Sequence, residues 1–208
     1  MMQYALLSYY PSTTFLTASK FLEGSLSPHL RFCPFCLEQY NYYKLVWRYN
    51  QNIGCAEHHC QLLEGCGHCN REIPLLTNPL TLGKCPYCKK ELKSSVVKKL
   101  AESENIIKLE TINNDLEFLL SPHSNEEEGE KVIIELGEEL RRRRVARGET
   151  IKEVADKLAL KSSEIFFVEE GRIKNGTAPF RAYVEYTYYN GISIKEMYLL
   201  VEKREENI

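Results

Sequence analysis

Seven of the eight cysteines and one histidine fall into four pairs within 56 residues. The pairs are Cys33-Pro-Phe-Cys36, Cys55-Ala-Glu-His58, Cys66-Gly-His-Cys69 and Cys85-Pro-Tyr-Cys88. A two-residue gap lets two thiolates, or a thiolate and an imidazole, meet one tetrahedral ion from a single turn. Four pairs therefore make two four-ligand zinc sites. A site with four protein ligands has no open position for substrate, so the expected role of the metal is structural. Disulfides would need an oxidising compartment. Met1 to Tyr10 has neither the basic start nor the long apolar run of a signal peptide, so the chain reads as cytoplasmic and reduced. A thioredoxin-like redox motif would be one pair beside a βαβ pattern, not four in succession. The mixed Cys/His set and ribbon-like spacing also disfavour iron–sulfur ligation.

Sequential pairing gives one site as Cys33, Cys36, Cys55 and His58, and the other as Cys66, Cys69, Cys85 and Cys88. Each site then closes one short loop. Cross-brace pairing, first pair with third, is the alternative. Cys60, His59 and His68 are left over. The C-x-x-H spacing favours His58 as ligand over His59 or Cys60. Cys60 reads as a small buried hydrophobe, and His68, between two ligands, as outward-pointing.

These ligands must be held by a small module. Residues 29–93 can bury only a modest core, and a zinc ion contributes on the order of 10–16 kcal/mol of binding free energy that is coupled to folding. Residues 1–28 read as a short leader packed against it. The aromatic stretch Tyr40 to Tyr49 suits a short strand or hairpin over the metal, with Trp47, the one tryptophan, as a core anchor. Residues 94–120 read as a helical connector, with Leu109, Ile112, Leu116 and Leu119 on one face. Residues 121–130, with Pro122, Gly129 and a run of glutamates, read as an acidic linker.

Residues 131–208 read as an all-α domain. Ile133, Leu136 and Leu140 mark a helix ending near Gly148. Thr150-Ile-Lys-Glu153 is a capping box that opens a second helix. Ser162 can cap a third, Pro179 starts a fourth, and Ser193-Ile-Lys-Glu196 opens a fifth. The fold class expected is mainly α with small β: a tandem zinc-ribbon or zinc-finger module followed by an all-α domain. The net charge of −2 gives no whole-chain attraction to nucleic acid, and no apolar run is long enough to cross a membrane.

Helices at Ile151–Leu158 and Ser162–Glu169, joined by a few residues, have the spacing of a helix-turn-helix. Leu136-Gly-Glu-Glu-Leu-Arg-Arg-Arg-Arg144, Thr150-Ile-Lys-Glu-Val-Ala155, Ile165 and Val168-Glu-Glu-Gly171 resemble the Cro/phage-repressor (XRE-type) family. The resemblance implies contacts from Lys161, Ser162, Ser163, Phe166 and Phe167, with Thr150 and Lys152 on the DNA backbone. Phe166 and Phe167 stand where that family usually has polar base-contacting residues, and Glu164 adds negative charge. From Glu135 to Asn175 there are ten Lys/Arg and nine Asp/Glu, so phosphate attraction is weak. Four consecutive arginines, Arg141 to Arg144, spread around a helix and read as a solvated face. The segment also resembles the RodZ-like helix-turn-helix, through Gly171 and Pro179 to the aromatic helix around Tyr183, and that group uses the module to dock protein.

Arg31-Phe-Cys-Pro-Phe-Cys-Leu37, Tyr43-Lys-Leu-Val-Trp47, Cys55-Ala-Glu-His58, Leu63, Cys66-Gly-His-Cys69 and Cys85-Pro-Tyr-Cys88 together resemble the TniQ family of transposon target-selection proteins. The likeness runs from Arg31 to Leu92. It implies tandem zinc modules, two zinc ions per chain and a non-catalytic adaptor. Such an adaptor joins target recognition, through DNA or a CRISPR effector-like complex, to the transposition ATPase. Only 32 residues precede Cys33, so the helical module that many members carry there is expected to be reduced or missing. With a near-neutral helix-turn-helix, DNA binding by the chain alone is expected to be weak. Specificity would then come from partners or from several chains acting together as a homo-oligomer. A zinc-dependent helix-turn-helix transcriptional regulator is the alternative. The sequence offers no Ser/His/Asp set, phosphate loop or D-D-E-like carboxylate cluster for an enzyme.

Overall fold

The computed structural model describes residues 24–75, 81–100, 103–120, 126–171 and 178–205. Two compact units divide between Ser25 and Leu26 and again between Asn113 and Asn114. Of the leader, residues 1–23 lie outside the described residues.

In the unit Leu26–Asn113, Cys33 is the N-cap of helix α1, Pro34–Tyr40, with the proline in the first turn where its missing N–H costs nothing. The helix stops at Asn41, which takes the left-handed conformation at φ 51°. The strand expected over Tyr40 to Tyr49 does not form. Leu45–Arg48 is instead a 3₁₀ turn. Val46 and Trp47 are adjacent and both buried, 4% and 1% exposed, which the two-residue alternation of a half-buried strand forbids. Asn52 then donates its side-chain amide to Val46 O at 3.3 Å. Trp47 is the core anchor that the sequence called for.

The one sheet among the described residues is a hairpin of β1, Gly54–Cys55, and β2, Cys60–Gln61, antiparallel with Cys55 opposite Cys60. Ser27 N–H donates to Arg48 O at 2.8 Å, and Leu26 bridges Tyr49, so the described end of the leader in this unit lies along the module. Residues 94–100, expected as helix, are not helical beyond the 3₁₀ turn Leu92–Ser94. Lys99 bridges Cys60, Gln61 N–H donates to Lys98 O at 3.0 Å, and Leu100 N–H donates to His59 O at 2.8 Å. The segment is extended because it satisfies the open edge of β2.

Helix α2 runs Ser103–Leu120. Leu109, Ile112 and Leu116 are buried, as their spacing requires, while the Leu119 side chain lies outside the described residues. Its earlier turns belong to the first unit, where Glu110 pairs with His59 at 3.2 Å. Its last turns belong to the second unit. There Asp115 accepts from the Ser193 hydroxyl at 2.6 Å, Ile194 N–H at 3.0 Å and Lys195 N–H at 3.1 Å. Asp115 thus caps helix α7, Ile194–Glu205, from a distant point in the chain, alongside the expected Ser193 bond to Glu196 N–H at 3.3 Å.

Helix α3 spans Glu126–Ala146. Five residues of the expected acidic linker, Glu126 to Glu130, are therefore its first turns, a location where carboxylates favour a helix by meeting its positive end. Residues 121–125 lie outside the described residues. Thr150 forms the expected capping box with Glu153 and opens α4, Ile151–Lys157. Helix α5, Ser162–Glu169, is not capped by Ser162: Lys161 is the N-cap, and its N–H donates to the Glu164 carboxylate at 2.8 Å. Helix α6, Phe180–Tyr189, starts after Pro179.

Two glycines let α3 and α5 approach. A Cβ on Gly137 would lie 2.5 Å from Val168 O, and one on Gly171, at φ 57°, would lie 2.8 Å from Ile134 Cα. The same contact is locked by charge. Arg144 reaches the Glu169 carboxylate with two nitrogens at 2.6 and 2.8 Å, and Tyr186 on α6 donates its hydroxyl to Glu169 at 2.6 Å. The arginine run is not a uniformly solvated face. Arg142 and Arg143 pair with Glu139 at 2.7 Å, but Arg144 is buried.

Candidate functional site

The pairs Cys66–Cys69 and Cys85–Cys88 are built alike. In each, the second residue after the loop returns a carbonyl to the first cysteine: Cys66 N–H donates to Arg71 O and Cys85 N–H to Lys90 O, both at 2.9 Å. The residue following the second cysteine has positive φ, 55° at Asn70 and 62° at Lys89. Its N–H donates back to the first cysteine's carbonyl, at 2.8 and 3.0 Å. Single bridges, Gly65 to Glu72 and Lys84 to Glu91, close each loop. The loops bring Cys66 Sγ to 3.6 Å from Cys88 Sγ and Cys69 Sγ to 3.7 Å from Cys85 Sγ.

The other set uses different supports. Cys33 and Cys36 stand at the start of α1, while Cys55 ends β1 and His58 stands in the tight turn that leads to β2. His58 Nδ1 lies 3.7, 3.2 and 3.5 Å from the sulfurs of Cys33, Cys36 and Cys55. Cys36 Sγ lies 3.5 Å from Cys55 Sγ. Arg31 holds the neighbouring loop by donating to Tyr49 O at 2.8 Å and Asn52 O at 2.7 Å. Glu57 accepts from Lys44 and reaches within 3.4 Å of Cys36 Sγ.

In both sets the four ligand atoms lie within 4.8 Å of one another. A tetrahedral zinc with sulfurs at its usual bond length separates them by about 3.8 Å, close to the 3.5–3.7 Å spacings here. The donors therefore fit a soft tetrahedral ion, and the groups follow the sequential pairing. Hydrogen bonds from Cys33 and Cys60 pull the Cys55 thiol well below its ordinary value, while burial and Cys55 push Cys36 up. At the other set burial raises Cys85, but the Cys88 and Tyr87 amides and neighbouring thiols outweigh it and bring the thiol down to about 7. Cys55 also raises Cys33, and at Cys69 the bond from the Arg71 amide is outweighed by burial and the neighbouring thiols, which raise it, so each set combines lowered and raised thiols.

Cys60 is fully buried, as the sequence reading held, and is not one of the four. Its Sγ nevertheless lies 3.6 Å from Cys33 Sγ, because the hairpin register sets it opposite Cys55. Alternation along a two-residue strand was too short a signal to reveal this. His68 is exposed and meets Ser94 Oγ at 2.9 Å.

The seven contact candidates lie in the second unit. Lys152, Lys161, Ser162 and Ser163 are exposed, Phe166 is 38% exposed, and Phe167 is half-buried. The two phenyl rings are 5.8 Å apart. Thr150 is exposed but its hydroxyl is engaged with Glu153. Glu164 is not an exposed repulsive charge: it is buried and pairs with Arg181 at 2.9 Å.

The TniQ family model matches residues 2–62. The match takes in the leader and the first ligand set and ends before Cys66. No curated protein matches the chain. Among the described residues, no helix is long and apolar enough to cross a membrane.

Proposed function

We propose that this chain is a non-catalytic TniQ-like adaptor in DNA transposition, linking target-site recognition to the transposition machinery through DNA and protein contacts. The match of the TniQ family model to residues 2–62 carries this reading. The two ligand sets support it, because four protein donors around each ion leave no position for a reacting group. Zinc bound by Cys33, Cys36, Cys55 and His58, and by Cys66, Cys69, Cys85 and Cys88, would act as a staple for a unit with a small core. Helices α4 and α5 would serve as a helix-turn-helix whose Phe166 and Phe167 face either DNA or a docked protein. The partners are the transposition ATPase and a DNA- or CRISPR-effector-like targeting complex.

The test is a reconstituted insertion reaction with the transposase and ATPase of the same element. Omitting the chain should abolish targeting while leaving strand transfer by the transposase intact. Strand cleavage by the purified chain would refute the reading. A footprint of the isolated chain on one discrete operator at physiological salt would promote the transcriptional regulator in its place.

A further inference from the structure

The net charge of −2 conceals a strong segregation. Residues 66–100 hold seven lysines and arginines against two glutamates, while the other 173 residues hold twenty against twenty-seven. All seven cations, Arg71, Lys84, Lys89, Lys90, Lys93, Lys98 and Lys99, are exposed. The two glutamates are both engaged: Glu72 lies 3.1 Å from His29, and Glu91 lies 3.5 Å from Lys93. Four thiolates with one zinc ion would subtract two charges and leave the segment basic.

The cations are placed by the metal loops. Arg71 and Lys90 occupy equivalent positions, each returning its carbonyl to the first cysteine of its loop. Lys89 occupies the positive-φ position that Asn70 fills in the partner loop. Glycine or asparagine is the unstrained choice there. The guanidinium of Arg71 lies 5.1 Å above the Tyr87 ring. A cation–π contact of this kind steadies the guanidinium on an exposed residue, and its fork of N–H donors matches a phosphate. Tyr87 is 44% exposed, but it is the only exposed phenylalanine, tyrosine or tryptophan ring among the described residues of 66–100, and the His68 imidazole is held by Ser94. A row of rings for successive unstacked bases is absent there, so the surface suits a duplex backbone rather than a single strand.

We infer that the second zinc loop pair, through Arg71, Lys84, Lys89 and Lys90, is a sequence-independent docking surface for the phosphates of duplex DNA. This deepens the adaptor reading by locating its DNA contact on the metal module and not on α5. The acidic remainder of the chain repels DNA and so directs the encounter to this surface.

The experiment is fluorescence anisotropy of the zinc-loaded full chain on a short duplex of arbitrary sequence, across a salt series. Neutralising about four phosphates gives a log–log salt slope of about −3.6, or about 150-fold weaker binding at 200 mM than at 50 mM salt. Changing Lys84→Gln, Lys89→Gln and Lys90→Gln together should bring the slope to about −0.9. The variant should keep two zinc ions, since the three side chains are exposed and bind no metal. Phe166→Ser with Phe167→Ser should leave the slope unchanged. Three results overturn the inference: no binding at low salt, an unchanged slope in the triple variant, or displacement of the duplex by polyglutamate at matched charge, which would mark an acidic-protein surface. If binding is lost only in the phenylalanine variant, the contact lies on α5. The inference then fails while the adaptor reading, tested by targeted insertion, stands.

Discussion

The buried Arg144–Glu169–Tyr186 cluster fixes the helix that carries Phe166, and Glu169→Leu is the change that probes it. The Glu169 side chain is 3% exposed and that of Arg144 11%. The substitution leaves a guanidinium in the interior with only its bond to Glu149 O at 2.8 Å. It also strips the Tyr186 hydroxyl of its acceptor. Removing one member of a buried ion pair costs about 3–5 kcal/mol, and a domain has only about 5–15 kcal/mol in total. At roughly 4–8 °C per kcal/mol for a unit of this size, the midpoint should fall by at least about 12 °C. The assay is urea and thermal unfolding followed by far-UV circular dichroism. Trp47 fluorescence in the same sample reports the other unit, because it is the single tryptophan and lies at 1% exposure there. Replacing the whole cluster, Arg144→Met with Glu169→Leu and Tyr186→Phe, should recover most of the loss, since no charge is then stranded. A loss below about 1 kcal/mol, the size expected of exposed ion pairs, would refute the reasoning.

Elemental analysis should find two zinc ions per chain. Chelation should red-shift Trp47 emission while most helical dichroism persists, because no cysteine follows Cys88 in the sequence; one ion or none in folded protein sinks this. Cys85→Ser should remove one ion, whereas Cys60→Ser should leave two, since Cys60 lies outside both four-donor groups. A metal-free fragment Asn114–Ile208 should be helical in chelator, and Asp115→Ala in that fragment should melt earlier because it lacks the cap on α7. Equal melting would remove that role from Asp115. In the unsubstituted fragment, hydrogen bonds from Lys157, Tyr189 and Arg147 hold the Glu149 carboxyl down at about 2. Its folded value is below the unfolded one of about 4.3, so its stabilisation is full above that pH and is lost as pH falls toward the folded value. Glu149→Gln should flatten the acid limb in that window; an unchanged limb counts against the network.

What could be read from the chain was what short spacing encodes. The four metal-type pairs, the Thr150–Glu153 box and the starts at Pro179 and Ser193 each need only three or four residues of context. The misreadings arose where a distant partner decides. Tyr40 to Tyr49 has strand composition, but Asn52 and the burial of adjacent Val46 and Trp47 turn it into 3₁₀. Residues 94–100 follow the edge of β2 instead of their own propensity. Arg144 looks like its neighbours until Glu169, 25 residues on, claims it. Asp115 reads as a polar residue in α2, and only the fold brings α7 to it. Gly137 carries no turn signal, since its purpose is the close passage of Val168 O.

Charge shows the same limit from another side. A single net value discourages a nucleic-acid partner, and a near-neutral α4–α5 pair agrees. Yet phosphate attraction acts over about a Debye length, roughly 8–10 Å, so it is set by local charge and not by the sum over the chain. The zinc loops concentrate that local charge. Each closes within a few residues, turns its backbone amides inward, and leaves Lys89, Lys90 and Arg71 exposed. The metal would thus contribute beyond stability: without it only a few backbone bonds close those loops, and the cations would disperse. Chelation should therefore weaken duplex binding together with the loss of zinc. Binding that survives full removal of the metal would show that the basic segment acts as a flexible polycation and not as a surface.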